Sequence, residues 1–127
     1  NWKGKNPIRI LIDPNLEANL KNLDHTQTWV LNNTLTQQED HIRYVKIDFD
    51  NFIEDLYRLL FQENVLSLFI EGGAYTLDQF IKSKNWDRAI TYTSQDIFGS
   101  GLKAPEIKGN IEHQEKFGND TITVINR

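Results

Sequence analysis

Cysteine and methionine are both missing from this 127-residue chain. Without cysteine there can be no disulfide, no thiolate metal ligand and no cysteine nucleophile, which fits a cytoplasmic protein. Without methionine, and with Asn1 in first place, the natural start of the gene is expected upstream. No apolar run approaches the ~18 residues a membrane helix needs, and no signal-peptide pattern opens the chain. No membrane is therefore expected as a partner. Basic residues are in the minority, 14 Lys and Arg against 18 Asp and Glu. With no basic stripe to neutralise a phosphate backbone, nucleic acid is not an expected partner either. The three histidines, His25, His41 and His113, are scattered and lack His-x-x-x-His spacing. Each reads as a surface or satisfied polar residue, and no metal centre is expected. The Gly-x-Gly-x-x-Gly fingerprint, the Gly-Lys-Ser/Thr of a P-loop and the Gly-x-Ser-x-Gly elbow are absent too.

What is present is an α/β pattern of the length of one domain or part of one. Ile8 to Ile12 is nearly continuous apolar sequence and predicts a buried strand, ended by Asp13-Pro14-Asn15. Leu16, Leu20 and Leu23 suggest one short helical face. Thr28 to Leu31 predicts a strand, Asn32 to Asp40 a polar loop, and Ile42 to Ile47 a half-exposed strand. Asp50 is a candidate N-cap for a helix whose apolar face is Phe52, Ile53, Leu56, Leu59 and Leu60, ending near Asn64. The acidic pair Glu54-Asp55 falls on its solvated face. Val65 to Ile70 predicts a further buried strand, Ala74 to Lys82 a helix and Asp87 to Thr93 a strand. Ser94 to Pro105 reads as a loop. Ile111 to Phe117 and Thr121 to Ile125 flank Gly118-Asn119-Asp120, which signals a hairpin. Strands alternating with helices and closed by a hairpin give an α/β domain with a mixed sheet. A strand as apolar as Ile8 to Ile12 wants cover on both faces, and few helices are available to supply it.

The richest stretch runs from Leu66 to Ile81. An apolar run stops at Glu71, two glycines follow, and a helical pattern begins at once. Glycines suit a tight turn, and a helix that starts there aims free backbone N–H groups at whatever lies above it, which favours a phosphate. The helix dipole adds about 0.3–1 kcal/mol, up to ~2 when partly buried. Glu71, placed at the carboxyl end of a strand, would accept hydrogen bonds from a polar ligand; a structural capping or ion-pair role is the alternative. Gly99-Ser100-Gly101 is either a crossing loop or a second close backbone approach.

Taken together, Glu71-Gly72-Gly73-x-x-Thr76-Leu77-x-x-Phe80-Ile81, Trp86-Asp87, Tyr92 and Phe98-Gly99-x-Gly101-x-x-Ala104-Pro105 resemble the reductase domain of the bacterial bifunctional riboflavin-biosynthesis deaminase/reductase. Asn6 to Asp13 is similar to that family's first cofactor-side strand. The resemblance implies a dihydrofolate-reductase-like mixed sheet flanked by helices, with residues 1–127 forming the C-terminal part of the reductase domain and the N-terminal part lying upstream. It implies NADPH as hydride donor and 5-amino-6-(5-phosphoribosylamino)uracil, a phosphorylated pyrimidine, as substrate, its ribosyl group reduced to ribityl. It also implies a homodimer. Carried over by position, Glu71 would contact substrate. Gly73, Ala74, Tyr75, Thr76, Leu77, Asp78 and Gln79 would line the cofactor phosphates, and Pro14 would touch the cofactor. No catalytic acid or base is identified. Arg88 departs from the acidic residue the family usually places after Trp-Asp. Two other readings remain: a nucleotide-binding or dimerising fragment without turnover, and a related reductase of a pterin-like heterocycle.

Overall fold

The computed structural model describes residues 3–127, which form two compact units, one ending at Leu66 and the other running from Ser67 to Arg127. The α/β class, the mixed sheet and the C-terminal hairpin are all present, with the strands divided between two sheets. No helix among the described residues is long and apolar enough to cross a membrane.

The first unit holds β1 (Arg9–Ile12), β2 (Thr28–Asn32), β3 (Gln37–Glu39), β4 (Ile42–Lys46) and α1 (Phe52–Gln62). The sheet order is β1-β2-β4-β3. β2 pairs in parallel with both β1 and β4, and β3 returns antiparallel to β4. Strands of a parallel sheet are buried on both faces by the elements packed on them, and all five residues of β2 are buried. The polar ends of β2 are satisfied locally. Asn32 donates to the carbonyls of Val30, Leu35 and Val45, and its own oxygen accepts from Thr34 and Leu35. β1 is an edge strand and only half-buried, so the most apolar strand of the sequence is not the centre of the sheet.

α1 buries Phe52, Leu56 and Leu60, the spacing expected of one helical face. Its N-cap is Asn51, not Asp50, and no side chain caps it. Asp48 organises this corner instead, accepting from the Asp50 N–H at 2.9 Å and the Asn51 amide at 2.7 Å, while Asp55 accepts from the Asp48 N–H. The helix ends where expected. Asn64 takes the left-handed conformation (φ 56°), its N–H bonding Phe61 O while the Val65 N–H reaches Leu60 O. That is a Schellman stop, with asparagine in the place glycine often takes.

Three further expectations for this half of the chain fail for physical reasons. Leu16 to Leu23 forms turns, not a helix. Leu16 sits at φ 60°, and Asp13 takes the N–H groups of Glu17 and Ala18, each at 2.9 Å, so the side chain displaces the helical ladder. The loop expected from Asn32 to Asp40 contains β3, whose exposed Gln37-Gln38-Glu39 carries no apolar alternation to announce it. Val65 to Ile70 is not a strand: among the described residues no strand pairs with it, and Leu66 is 100% and Phe69 78% exposed. A continuous apolar run signals a preference for burial, but a strand exists only where a neighbour completes its ladder.

The second unit holds α2 (Ala74–Ser83), β5 (Arg88–Thr93), β6 (Asn110–Phe117) and β7 (Asp120–Asn126), the strands ordered β5-β7-β6 and antiparallel throughout. Gly118 (φ 63°) opens the hairpin turn between β6 and β7 as a glycine does in a type II′ turn. Arg88, the departure noted above, pairs with Glu112 at 2.9 Å and reaches it across β7. One constraint had no sequence signal. A side chain at Gly109 would run into the carbonyl oxygen of Asn126 and come within 2.8 Å of Ile125 Cγ2.

Candidate functional site

α2 begins at Gly73, which is extended (φ −67°, ψ 166°) and provides no side-chain cap. The first turn carries no acidic residue. Leu77 N–H closes the first helical bond onto Gly73 O at 3.2 Å. The N–H groups of Ala74, Tyr75 and Thr76 precede that bond and lack an intrahelical acceptor, so the positive end of the helix dipole stands open. The two glycines have different work. Neither has a positive φ, so the turn does not need their conformational freedom, contrary to expectation. A Cβ on Gly72 would come within 3.1 Å of Thr76 Cβ, so Gly72 allows the chain to pass close to its own helix. A Cβ on Gly73 would meet no atom within 4 Å, so the space beside the helix terminus is open.

Around that terminus Tyr75 is exposed, while Ala74, Thr76, Leu77, Asp78 and Gln79 are half-buried. Asp78 pairs with Lys82 one turn on, at 3.1 Å. Glu71 is exposed, and no hydrogen bond or ion pair engages its carboxylate among the described residues. Because Val65 to Ile70 is not a strand, Glu71 does not close one; it precedes the helix from a segment without regular secondary structure. Glu71 and Gly73 to Gln79 therefore form one contiguous group in the second unit. Pro14 belongs to the first unit, where it follows β1 and its carbonyl accepts from the Asn33 N–H at 3.0 Å. A cavity of about 260 Å³ lies beyond it, between Asp13, Leu16, Leu20 and Tyr44. Gly99 (φ 71°) and Gly101 (φ 134°) do need glycine, in an exposed loop.

A second polar group was not legible in the sequence. His25 and His41, 16 positions apart, meet edge to face with ring centroids 5.2 Å apart. His41 Nδ1 lies 2.9 Å from Asp40 Oδ2. That hydrogen bond, followed by the charge of the His41 ring and more weakly that of His25, holds the Asp40 carboxyl below its usual range. His113 stands in the other unit beside Glu115 at 3.3 Å.

The mixed sheet, the two helices and the antiparallel hairpin define a protein of the α/β class. The chain belongs to the RibD C-terminal domain family, which matches residues 1–123, the reductase family of riboflavin biosynthesis. The riboflavin biosynthesis protein RibD of Aquifex aeolicus (strain VF5) is 25% identical over 111 residues, covering 81% of this chain and 31% of that protein. The chain thus spans about a third of the length of this curated relative. Among solved structures, the deaminase/5-amino-6-(5-phosphoribosylamino)uracil reductase of Thermotoga maritima superposes with a TM-score of 0.73 at 18% identity, over 98% of this chain and 38% of the other. A riboflavin biosynthesis protein from Shewanella sp. PV-4 superposes with a TM-score of 0.57 at 24% identity, over 80% of this chain and 60% of the other. At these identities the two likenesses speak for the fold.

Proposed function

We propose that the chain contributes the cofactor-phosphate wall and a substrate contact to an NADPH-dependent reductase acting on 5-amino-6-(5-phosphoribosylamino)uracil. The observation that carries this reading is the uncapped start of α2 beside Gly73. A dinucleotide phosphate fits it on three counts: acceptorless N–H groups, no competing carboxylate in the first turn, and no Cβ to keep an anion at a distance. NADPH, when bound, supplies the hydride that turns the ribosyl group into ribityl. The chain's own part is positioning. Ala74, Tyr75 and Thr76 offer N–H donors, and the Thr76 side chain offers a hydroxyl at the same turn. Asp78 is held by Lys82, which turns its charge away from the role of a repelling neighbour. Glu71 keeps a carboxylate without a partner among the described residues, suited to accept hydrogen bonds from the N–H or O–H groups of an aminopyrimidine or ribosyl substrate. Cytoplasmic location and a homodimer accompany this proposal.

The partly exposed Val65 to Ile70, with which no described strand pairs, favours a second reading for the chain on its own: a nucleotide-binding module without turnover. One experiment separates the two. The chain is mixed with NADPH and the ribosylaminouracil substrate, and both reduced-nicotinamide absorbance and tryptophan fluorescence are followed. Loss of absorbance supports the reductase; quenching without oxidation supports the binding module; oxidation with a pterin alone sinks the riboflavin substrate. In an active, intact protein, Glu71→Gln is expected to lower kcat/KM by about tenfold or more, the cost of one charge-assisted hydrogen bond of roughly 1.5–3 kcal/mol. Full turnover would remove Glu71 from the site.

A further inference from the structure

We propose that His25, Asp40 and His41, all in the first unit, form a binding site for a divalent transition ion of the zinc type. Each residue offers one donor atom, and these atoms all lie within 4.8 Å of one another. Two imidazoles and one carboxylate are the donor set a borderline ion such as Zn²⁺ prefers, and three protein ligands leave a fourth position for water.

Three features favour a site over a chance meeting of side chains. The first is a pair already in place: His41 Nδ1 lies 2.9 Å from Asp40 Oδ2, so two of the three donor atoms face each other on one side of the His41 ring. The second is the framework. Asp40 and His41 occupy the tight turn between β3 and β4, and the Thr28 N–H bonds His41 O at 2.9 Å, so the backbone beneath the ligands is fixed to β2. The third is the reach of the remaining ligand. His25 is exposed, on the connection that leads into β2, and its ring already touches that of His41. Ligand atoms around a tetrahedral ion bound at about 2.0–2.1 Å stand roughly 3.4 Å apart, less than the widest separation of up to 4.8 Å in this set. A rotation of the exposed His25 ring is the movement that closes the set. The bound ion would fasten the connection before β2 to the β3–β4 turn, two segments whose rings already touch.

The test uses the 127-residue chain with Zn²⁺ alone in calorimetry and Co²⁺ alone in absorption spectroscopy, neither of which depends on reductase activity. One ion per chain is expected, with visible Co²⁺ bands that Zn²⁺ bleaches. His25→Ala and Asp40→Asn are each expected to weaken binding at least tenfold, and His113→Ala to leave it unchanged. His25 is exposed, and asparagine tolerates the φ of 49° at position 40, so both variants keep the fold; far-ultraviolet circular dichroism checks this. Absence of saturable binding overturns the site. So does binding that survives in His25→Ala or disappears in His113→Ala.

Discussion

The two units solve the burial problem differently. In the first, β2 lies between parallel neighbours and hides five consecutive residues, with Val45, Ile47 and the α1 face also buried. In the second, the central strand β7 buries Thr123 and Ile125, its neighbour β6 is exposed along its whole length, and α2 buries only Phe80. A parallel sheet must be covered on both faces, whereas an antiparallel one tolerates a wet face. Side-chain packing therefore holds the first unit, while backbone ladders and turn geometry carry more of the second. Local opening is expected to be easier in the second unit, which also carries the open helix terminus.

The contrast can be broken most forcefully in β2. Leu31→Ala should cost about 2–5 kcal/mol, because the residue is fully buried and its removal leaves a cavity. Ile111→Ala on β6 should stay within roughly 0.5 kcal/mol. Urea titration of both variants checks this, and equal losses would abolish the distinction. A smaller effect sharpens it from the other side. Gly109→Ala should cost about 1–3 kcal/mol through overpacking against Asn126 and Ile125, showing that the tightest constraint of the second unit is a backbone approach. Amide exchange in β6 and β7 would rise while β2 stays protected.

The smallest effect is acid sensitivity, which belongs to the first unit. Asp24, Asp40 and Asp48 all have carboxyls held below the ordinary value of 3.8, Asp24 first by the Thr26 hydroxyl, Asp40 by the His41 ring and Asp48 by the Asn51 amide. A carboxylate whose folded-state pKa is depressed stabilises the fold above its unfolded value. That stability disappears as pH falls through the lower folded-state value. Acid should therefore loosen the first unit progressively below about pH 4, and Asp→Asn changes at these three positions should flatten the slope of stability against pH.

How far the sequence reveals this molecule depends on whether a signal is local. α1, α2, the β6–β7 turn and the stop at Asn64 were legible, because helix periodicity and turn chemistry involve residues a few positions apart. Which strand is central was not, since Ile8 to Ile12 is more apolar than Thr28 to Asn32 and yet lies at an edge. Polarity at Thr28 and Asn32 hid their burial, and only the Asn32 hydrogen-bond set explains why burial is tolerated there. The glycine pair was legible as a helix start, though for the wrong reason: missing side chains matter there, not unusual dihedrals. His25 beside His41 and the close approach at Gly109 are products of tertiary structure, invisible to any spacing rule.

The uncovered segment from Val65 to Ile70 has a consequence for solubility. Val-Leu-Ser-Leu-Phe-Ile carries no charge and no proline, has high strand propensity, and pairs with no strand among the described residues. Such a segment is a template for pairing between copies. The carboxylates of Glu63 and Glu71 flank it, as gatekeeper charges do around unavoidable apolar strands. Beside the substrate contact proposed for it, Glu71 places a charge next to this segment, and its removal is expected to lower colloidal stability as well.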